Sequence, residues 1–332
     1  SAAYFFAYFL IALETVRGRI TLGDLTYFTG AFSNMRSLLE GILLRFPVVM
    51  EGSLYLRDLF DFFELRPRIV SPPKPRPVPV PIRRGFVFEN VSFKYPHSDR
   101  WALRNLSFEL RAGEKLALVG KNGAGKTTIT KLLLRLYEPT EGRILLDGYD
   151  LREYSPEELR KRIGVIFQDF IRYQMTAAIN IAVGEIELRH NQQRIEWAAA
   201  RSLAHSIIEK LPHRYEQRIG RRFANGVDLS GGEWQKIALA RAYMRDAELY
   251  ILDEPTAALD PEAEYEVFHH FVTLTQGKTA VLVAHRFSTV RMADTILVLE
   301  QGKLLEMGSH DELMRKGGRY AELFSLQARG YQ

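Results

Sequence analysis

The residues Gly120, Lys121, Asn122, Gly123, Ala124, Gly125, Lys126, Thr127 and Thr128 follow the apolar stretch Leu116 to Val119 and open a helical pattern. Glycines at this spacing let backbone N–H groups turn inward around phosphate oxygens, and the helix start adds the positive end of its dipole. Lys126 then reaches the β- and γ-phosphates and the Thr127 hydroxyl serves Mg²⁺, so the run reads as a nucleoside triphosphate site. Downstream, the apolar strand Tyr250 to Leu252 delivers two adjacent carboxylates, Asp253 and Glu254. Asp253 can hold Mg²⁺ through its water shell, while Glu254 can orient or deprotonate the water that attacks the γ-phosphate. Between these segments, Leu229-Ser230-Gly231-Gly232-Glu233 precedes the helical run Trp234 to Tyr243. A serine hydroxyl and two glycine N–H groups at a helix start form a second anion cradle. One nucleotide rarely needs two cradles from one chain, so the second points to a second molecule.

These groups need a scaffold of alternating strands and helices. Gly85 to Phe93, Leu106 to Leu110, Leu116 to Val119, Ile144 to Asp147 and Ile163 to Phe167 read as strands. Leu249 to Leu252 and Thr279 to Ala284 are short apolar runs suited to buried parallel strands, and Thr295 to Leu299 with Lys303 to Glu306 form a closing hairpin around Gln301-Gly302. From Asp169 to Leu229 the pattern is mostly helical, including Asn191 to Glu209.

Composition narrows the function. There is no cysteine, which removes disulfides, thiolate zinc sites and thiol nucleophiles. The net charge of +5 raises the question of nucleic acid, yet Arg66 to Arg84 holds six Lys/Arg and no carboxylate, so the excess sits in one short segment rather than over a folded face. That segment also carries Pro67, Pro72, Pro73, Pro75, Pro77, Pro79 and Pro81, which forbid helix and favour an extended spacer, with an SH3-type ligand as the lesser alternative. The expected divisions are residues 1–65, a linker at 66–84, and a nucleotide-binding domain at 85–332 whose helical part covers about 169–235.

Ahead of the linker, Ala2 to Leu13 is an unbroken apolar run too short to span a bilayer, and it reads as the remaining half of a membrane helix. Leu25, Phe28, Phe32, Met35, Leu39, Ile42 and Phe46 recur at helical spacing, with Ser33, Asn34, Arg36, Ser37 and Glu40 on other faces. On periodicity alone this helix suits a membrane interior and a soluble amphipathic element equally.

Taken together, these motifs resemble the ATP-binding cassette (ABC) family, with Leu229 to Glu233 similar to its signature motif. The resemblance implies an α/β P-loop NTPase of cassette type, a mixed sheet with an α-helical subdomain, working with ATP and Mg²⁺. It implies two cassettes stacked head to tail, each nucleotide lying between one P-loop and the other's Ser230, Gly231 and Gly232. It also implies roles for residues the spacing alone leaves silent: Tyr95 stacking on adenine, Gln168 near Mg²⁺ and the attacking water, Asp260 in the D-loop and His285 at the γ-phosphate.

Upstream, Gly18 to Asp24 resembles the outer turn before the last helix of an exporter-type membrane domain, so α-helical transmembrane segments are expected over residues 1–65. The implied protein is a multi-pass half-transporter of the cell membrane, its ATPase domain in the cytoplasm, paired with an identical or different half to export an unidentified substrate. Six membrane helices per half are usual in this family, so a truncated or incomplete gene product is expected. A soluble ABC ATPase in a non-transport role and a non-hydrolysing subunit are the alternatives, the latter disfavoured by Glu254. Glu233 for glutamine, Ala257 for serine and the longer stretch Arg221 to Asn225 depart from the family pattern, but none removes a catalytic group.

Overall fold

Runs such as Leu249-Tyr250-Ile251-Leu252 and Ala280-Val281-Leu282-Val283 have no polar face, so their strands are stable only when covered on both sides. The computed structural model, which describes residues 2–167, 169–253, 269, 271–273, 275–283 and 290–329, places them at the centre of a sheet.

The chain divides into two units, Ser1–Arg68 and Ile69–Gln332. In the second unit, β1 (Gly85–Lys94), β2 (Trp101–Arg111), β4 (Glu141–Leu146) and β5 (Tyr149–Asp150) form an antiparallel sheet ordered β2-β1-β4-β5. A second sheet, ordered β10-β9-β3-β8-β7-β6, joins β3 (Lys115–Val119), β6 (Ile163–Ile166), β7 (Leu249–Asp253), β8 (Thr279–Val283), β9 (Thr295–Glu300) and β10 (Lys303–Gly308). It is parallel from β9 to β6, with β10 returning antiparallel through the expected Gln301-Gly302 turn. This is the expected mixed sheet, and Phe86, Phe88, Leu110, Leu118, Ile251 and Val283 share one core between the two sheets and α3 (Lys126–Leu133).

A second core gathers the helices α5 (Ala177–Ala182), α6 (Gln192–Arg201), α7 (His205–Ile208) and α8 (Gly231–Met244) around Trp234 and Tyr243. The α4 helix (Pro156–Lys161) precedes β6, and α9 (His310–Lys316) and α10 (Arg319–Arg329) close the chain, with Leu313 and Tyr320 packing beneath β9. The helical stretch Asn191 to Glu209 forms two helices, because Leu203 adopts a left-handed φ of 61°. The buried Ser202 hydroxyl accepts from the Ala204 N–H there and offers the backbone an alternative to helical bonding.

Residues 69–84 are extended, as their prolines require, but they are strapped down rather than free. Asp147 accepts from the N–H groups of Arg83, Arg84 and Gly85, and the buried Glu248 accepts from Ile82. Arg76 pairs with Glu153 and lies 3.5 Å over the Tyr149 ring. The strap thus uses part of the positive charge that the sequence assigns to the linker.

In the first unit, α1 (Ala2–Val16) meets α2 (Leu22–Glu64) through the Tyr8 hydroxyl, which donates to the Thr29 carbonyl. Thr21 and Asp24 close a capping box at the start of α2. No residue of α2 is buried, and Leu43, Leu44, Phe46 and Phe63 are among its exposed apolar side chains. No helix among the described residues is long and apolar enough to cross a membrane. In α2 the charges Arg36, Glu40, Arg45, Glu51, Arg57, Asp58 and Asp61 divide the apolar stretches.

Candidate nucleotide site

The parallel order β9-β3-β8-β7 brings the carboxyl ends of β3 and β7 to the same edge with only β8 between them. The loop after β3 and Asp253 at the end of β7 therefore converge, which is where open α/β sheets bind ligands. Across that gap Thr127 Oγ1 donates to Asp253 Oδ1 at 3.4 Å, and Asp253 is 1% exposed.

The loop itself admits only glycine at two points. A Cβ on Gly125, at φ +108°, would sit 2.6 Å from Leu103 Cδ2, and one on Gly120 would sit 2.4 Å from the Leu299 carbonyl oxygen. Gly125 is the N-cap of α3, so the backbone N–H groups of the first helical turn lie at the loop. Lys126 is buried, and its Nζ donates to the Gly120 carbonyl at 2.8 Å and the Lys121 carbonyl at 3.4 Å. This folds a cation back over the loop, where phosphate oxygens would replace the carbonyls.

The loop forms one wall of a cavity of about 860 Å³ lined by Asn122 to Thr128, Tyr95, Trp101, Ala102 and the hairpin tip Gln301-Gly302-Lys303. A nucleoside triphosphate fits a space of that size. Tyr95 reaches Thr128 Oγ1 at 3.1 Å and meets Tyr137 edge to face, so one aromatic ring is fixed at the cavity's outer end. Arg100, Arg104, Lys126 and Lys303 also line it, and no carboxylate does among the described residues, so the cavity favours an anion.

Sequence reasoning missed the hairpin tip. The Gly302 N–H donates to the Ala124 carbonyl at 3.1 Å, and the Gly302 carbonyl accepts from Arg104 at 2.8 Å, which ties the loop to both sheets. The Gln301-Gly302 turn is legible as a hairpin, but nothing local says that it touches a loop so far upstream.

Ser230, Gly231 and Gly232 do not line this cavity. Ser230 is the exposed N-cap of α8, its Oγ accepting from the Glu233 N–H while Glu233 Oε2 accepts from the Ser230 N–H at 2.8 Å. Glu233, the departure from the family pattern, thus completes a capping box. Gln168, Glu254, Asp260 and His285 lie outside the described residues, as does Ala257.

A parallel sheet whose strand ends hold a glycine loop, a lysine and an opposed carboxylate, joined to a helical lobe with a capped Ser-Gly-Gly helix start, defines an ABC-type ATPase domain. Residues 103–257 match the family model for ABC transporters, and the chain belongs to that family. It is 35% identical over 315 residues to the subtilin transport ATP-binding protein SpaT of Bacillus subtilis, covering 95% of this chain and 51% of that protein. It is 41% identical over 325 residues to the ATP-dependent lipid A-core flippase of Alkalilimnicola ehrlichii, covering 97% of this chain and 54% of that one. A solved bacterial Atm1-family ABC exporter with ATP bound superposes with a TM-score of 0.77 at 35% identity, over 93% of this chain and 53% of that structure. The chain spans about half the length of the curated relatives it matches.

Proposed function

We propose that this chain binds and hydrolyses ATP between two opposed cassettes and that the protein it serves exports a substrate across a membrane. The observation that carries this reading is the Thr127–Asp253 apposition beside the glycine loop. Two hard oxygens beside the glycine loop suit a divalent cation such as Mg²⁺, which tolerates one or two protein oxygens alongside substrate phosphates. When bound, Mg²⁺ neutralises charge that develops on the phosphate oxygens. Thr127, Asp253 and Gln168 are the residues assigned to hold it.

The loop N–H groups and Lys126 hold the phosphates in place. Glu254 takes the proton of the attacking water, His285 and Gln168 orient the γ-phosphate and that water, and the bond from Pγ to the bridging oxygen breaks to leave ADP. Tyr95 stacks on the base. Ser230, Gly231 and Gly232 bind the γ-phosphate held by a second copy or a different half-transporter, with Asp260 at the interface between them, because the exposed α8 start does not reach the chain's own cavity.

Export and location in a cell membrane, with the cassette in the cytoplasm, are supported by the exporters among the relatives and by the uncovered apolar side chains of α2. At 43 residues, α2 is about 65 Å long, roughly twice a bilayer's hydrocarbon thickness. One part of it can lie among lipid and partner helices. The cargo is left to helices beyond this chain's partial span of its relatives.

The experiment is phosphate release and ATP binding by the detergent-solubilised chain. Glu254→Gln is expected to lower turnover about 100- to 10,000-fold with ATP still bound, and Lys126→Ala to abolish binding. Turnover that survives Glu254→Gln refutes the hydrolytic assignment.

A further inference from the structure

Arg241 sits on α8, the helix capped by Ser230, and its guanidinium points away from that helix. Nε donates to the Asn180 carbonyl at 3.0 Å, Nη2 to the Asn180 side-chain oxygen at 3.0 Å, and Nη1 to the Ile171 carbonyl at 2.7 Å. The Tyr173 ring lies 5.0 Å away. All these partners are neutral, and burial pushes the guanidinium down to about 10.

Asn180 is fully buried, and its amide nitrogen donates to the carbonyls of Tyr173, Met175 and Thr176. Arg241 and Asn180 therefore gather residues 171–176 into one network and pin it to α8. A half-buried cation with no counter-charge among the described residues lowers stability, and an apolar side chain of similar volume would avoid that. What the apolar side chain lacks is a rigid fork of donors that reaches two segments at once.

The pinned segment begins just after Gln168. We propose that Arg241, acting with Asn180, is a positioning residue that fixes residues 171–176, which follow Gln168 in the sequence, relative to the helix carrying Ser230, Gly231 and Gly232. The proposal rests on the assignment of Gln168 to the metal and water and of Ser230 to the opposite nucleotide. Under that assignment a single hydrogen-bonded node links the chain's own nucleotide site to the one it completes for its partner, which gives the two sites a physical route for coupling.

The test uses the full chain in a Glu254→Gln background, reading the affinity of the nucleotide complex for Mn²⁺ by EPR and the affinity for nucleotide in EDTA. Arg241→Lys keeps the charge and loses the fork. It is expected to weaken Mn²⁺ binding about tenfold, as outer-shell supports of metal sites do, matching Gln168→Ala and leaving metal-free nucleotide affinity within about twofold. Unchanged Mn²⁺ affinity in Arg241→Lys, with a loss in Gln168→Ala, overturns the positioning role alone. No loss in Gln168→Ala overturns the assignment beneath it as well.

Should Arg241→Lys fail to fold, the absence of native cysteine permits nitroxide labels at Arg172→Cys and Lys236→Cys in the chain with Arg241 intact. One narrow distance distribution is the expected result, and a broad one contradicts a pinned segment.

Discussion

Ser230 has one observed task and one proposed task, and the two are separable. Its hydroxyl caps α8 by accepting from Glu233, and it is assigned to the phosphate of an opposed site. Ser230→Ala should cost about 1 kcal/mol of stability, the usual value of an N-cap, measurable as a shift in the urea midpoint. If capping is its only task, turnover per folded chain will stay at the wild-type level; the phosphate assignment expects it to fall.

Tyr154 gives a prediction about pH. Its hydroxyl is buried, donates to the Leu146 carbonyl at 2.9 Å, and is pushed up to about 12 from an ordinary 10 by burial. The folded state favours the neutral phenol, so this contribution is intact below pH 10 and is lost as pH rises from 10 to 12. Urea melts at pH 8, 10 and 11 should show stability falling above pH 10, with a shallower fall in Tyr154→Phe. Equal slopes in the two proteins would remove Tyr154 from the account.

The chemistry that reads best from sequence lies in contiguous runs, such as Gly120 to Thr128 and Tyr250 to Asp253. The support at Gly302 and the node at Arg241 join residues far apart in the chain, where local pattern carries no signal.

Among the elements, the strands and helices with strong local patterns were legible, including β7, β8 and the β9–β10 hairpin. The first five residues of β2 were not, because Asn105 at φ 50° and register shifts against β1 break the alternation that marks a strand. The break at Leu203 was hidden for a similar reason, since a buried serine that competes for the backbone leaves no mark on apolar periodicity.

The strap was half legible. Proline spacing specifies an extended chain, but its attachment depends on Asp147 and Glu248, which are distant in sequence. Fragments 69–332 and 85–332 should therefore differ. Losing Ile82, which is 9% exposed, and the hydrogen bonds to two carboxylates should destabilise the shorter fragment by about 2 to 4 kcal/mol. Coincident denaturation midpoints for the two fragments would show that the strap contributes nothing.

For the molecule as a whole, one chain holds a cavity with Lys126 and a capped helix start that does not line that cavity, which the proposed function assigns to two different nucleotides. A symmetric pair would make both sites complete, each chain lending α8 to the other's nucleotide. The most direct measurement is complementation between two defective full-length chains, Lys126→Ala and Ser230→Arg, each inactive alone. Mixed and allowed to exchange, they should recover about a quarter of the wild-type ATPase rate, since random pairing makes half the pairs mixed and each mixed pair retains one complete site. A mixture that never exceeds the sum of its inactive parents would contradict a nucleotide shared between two chains.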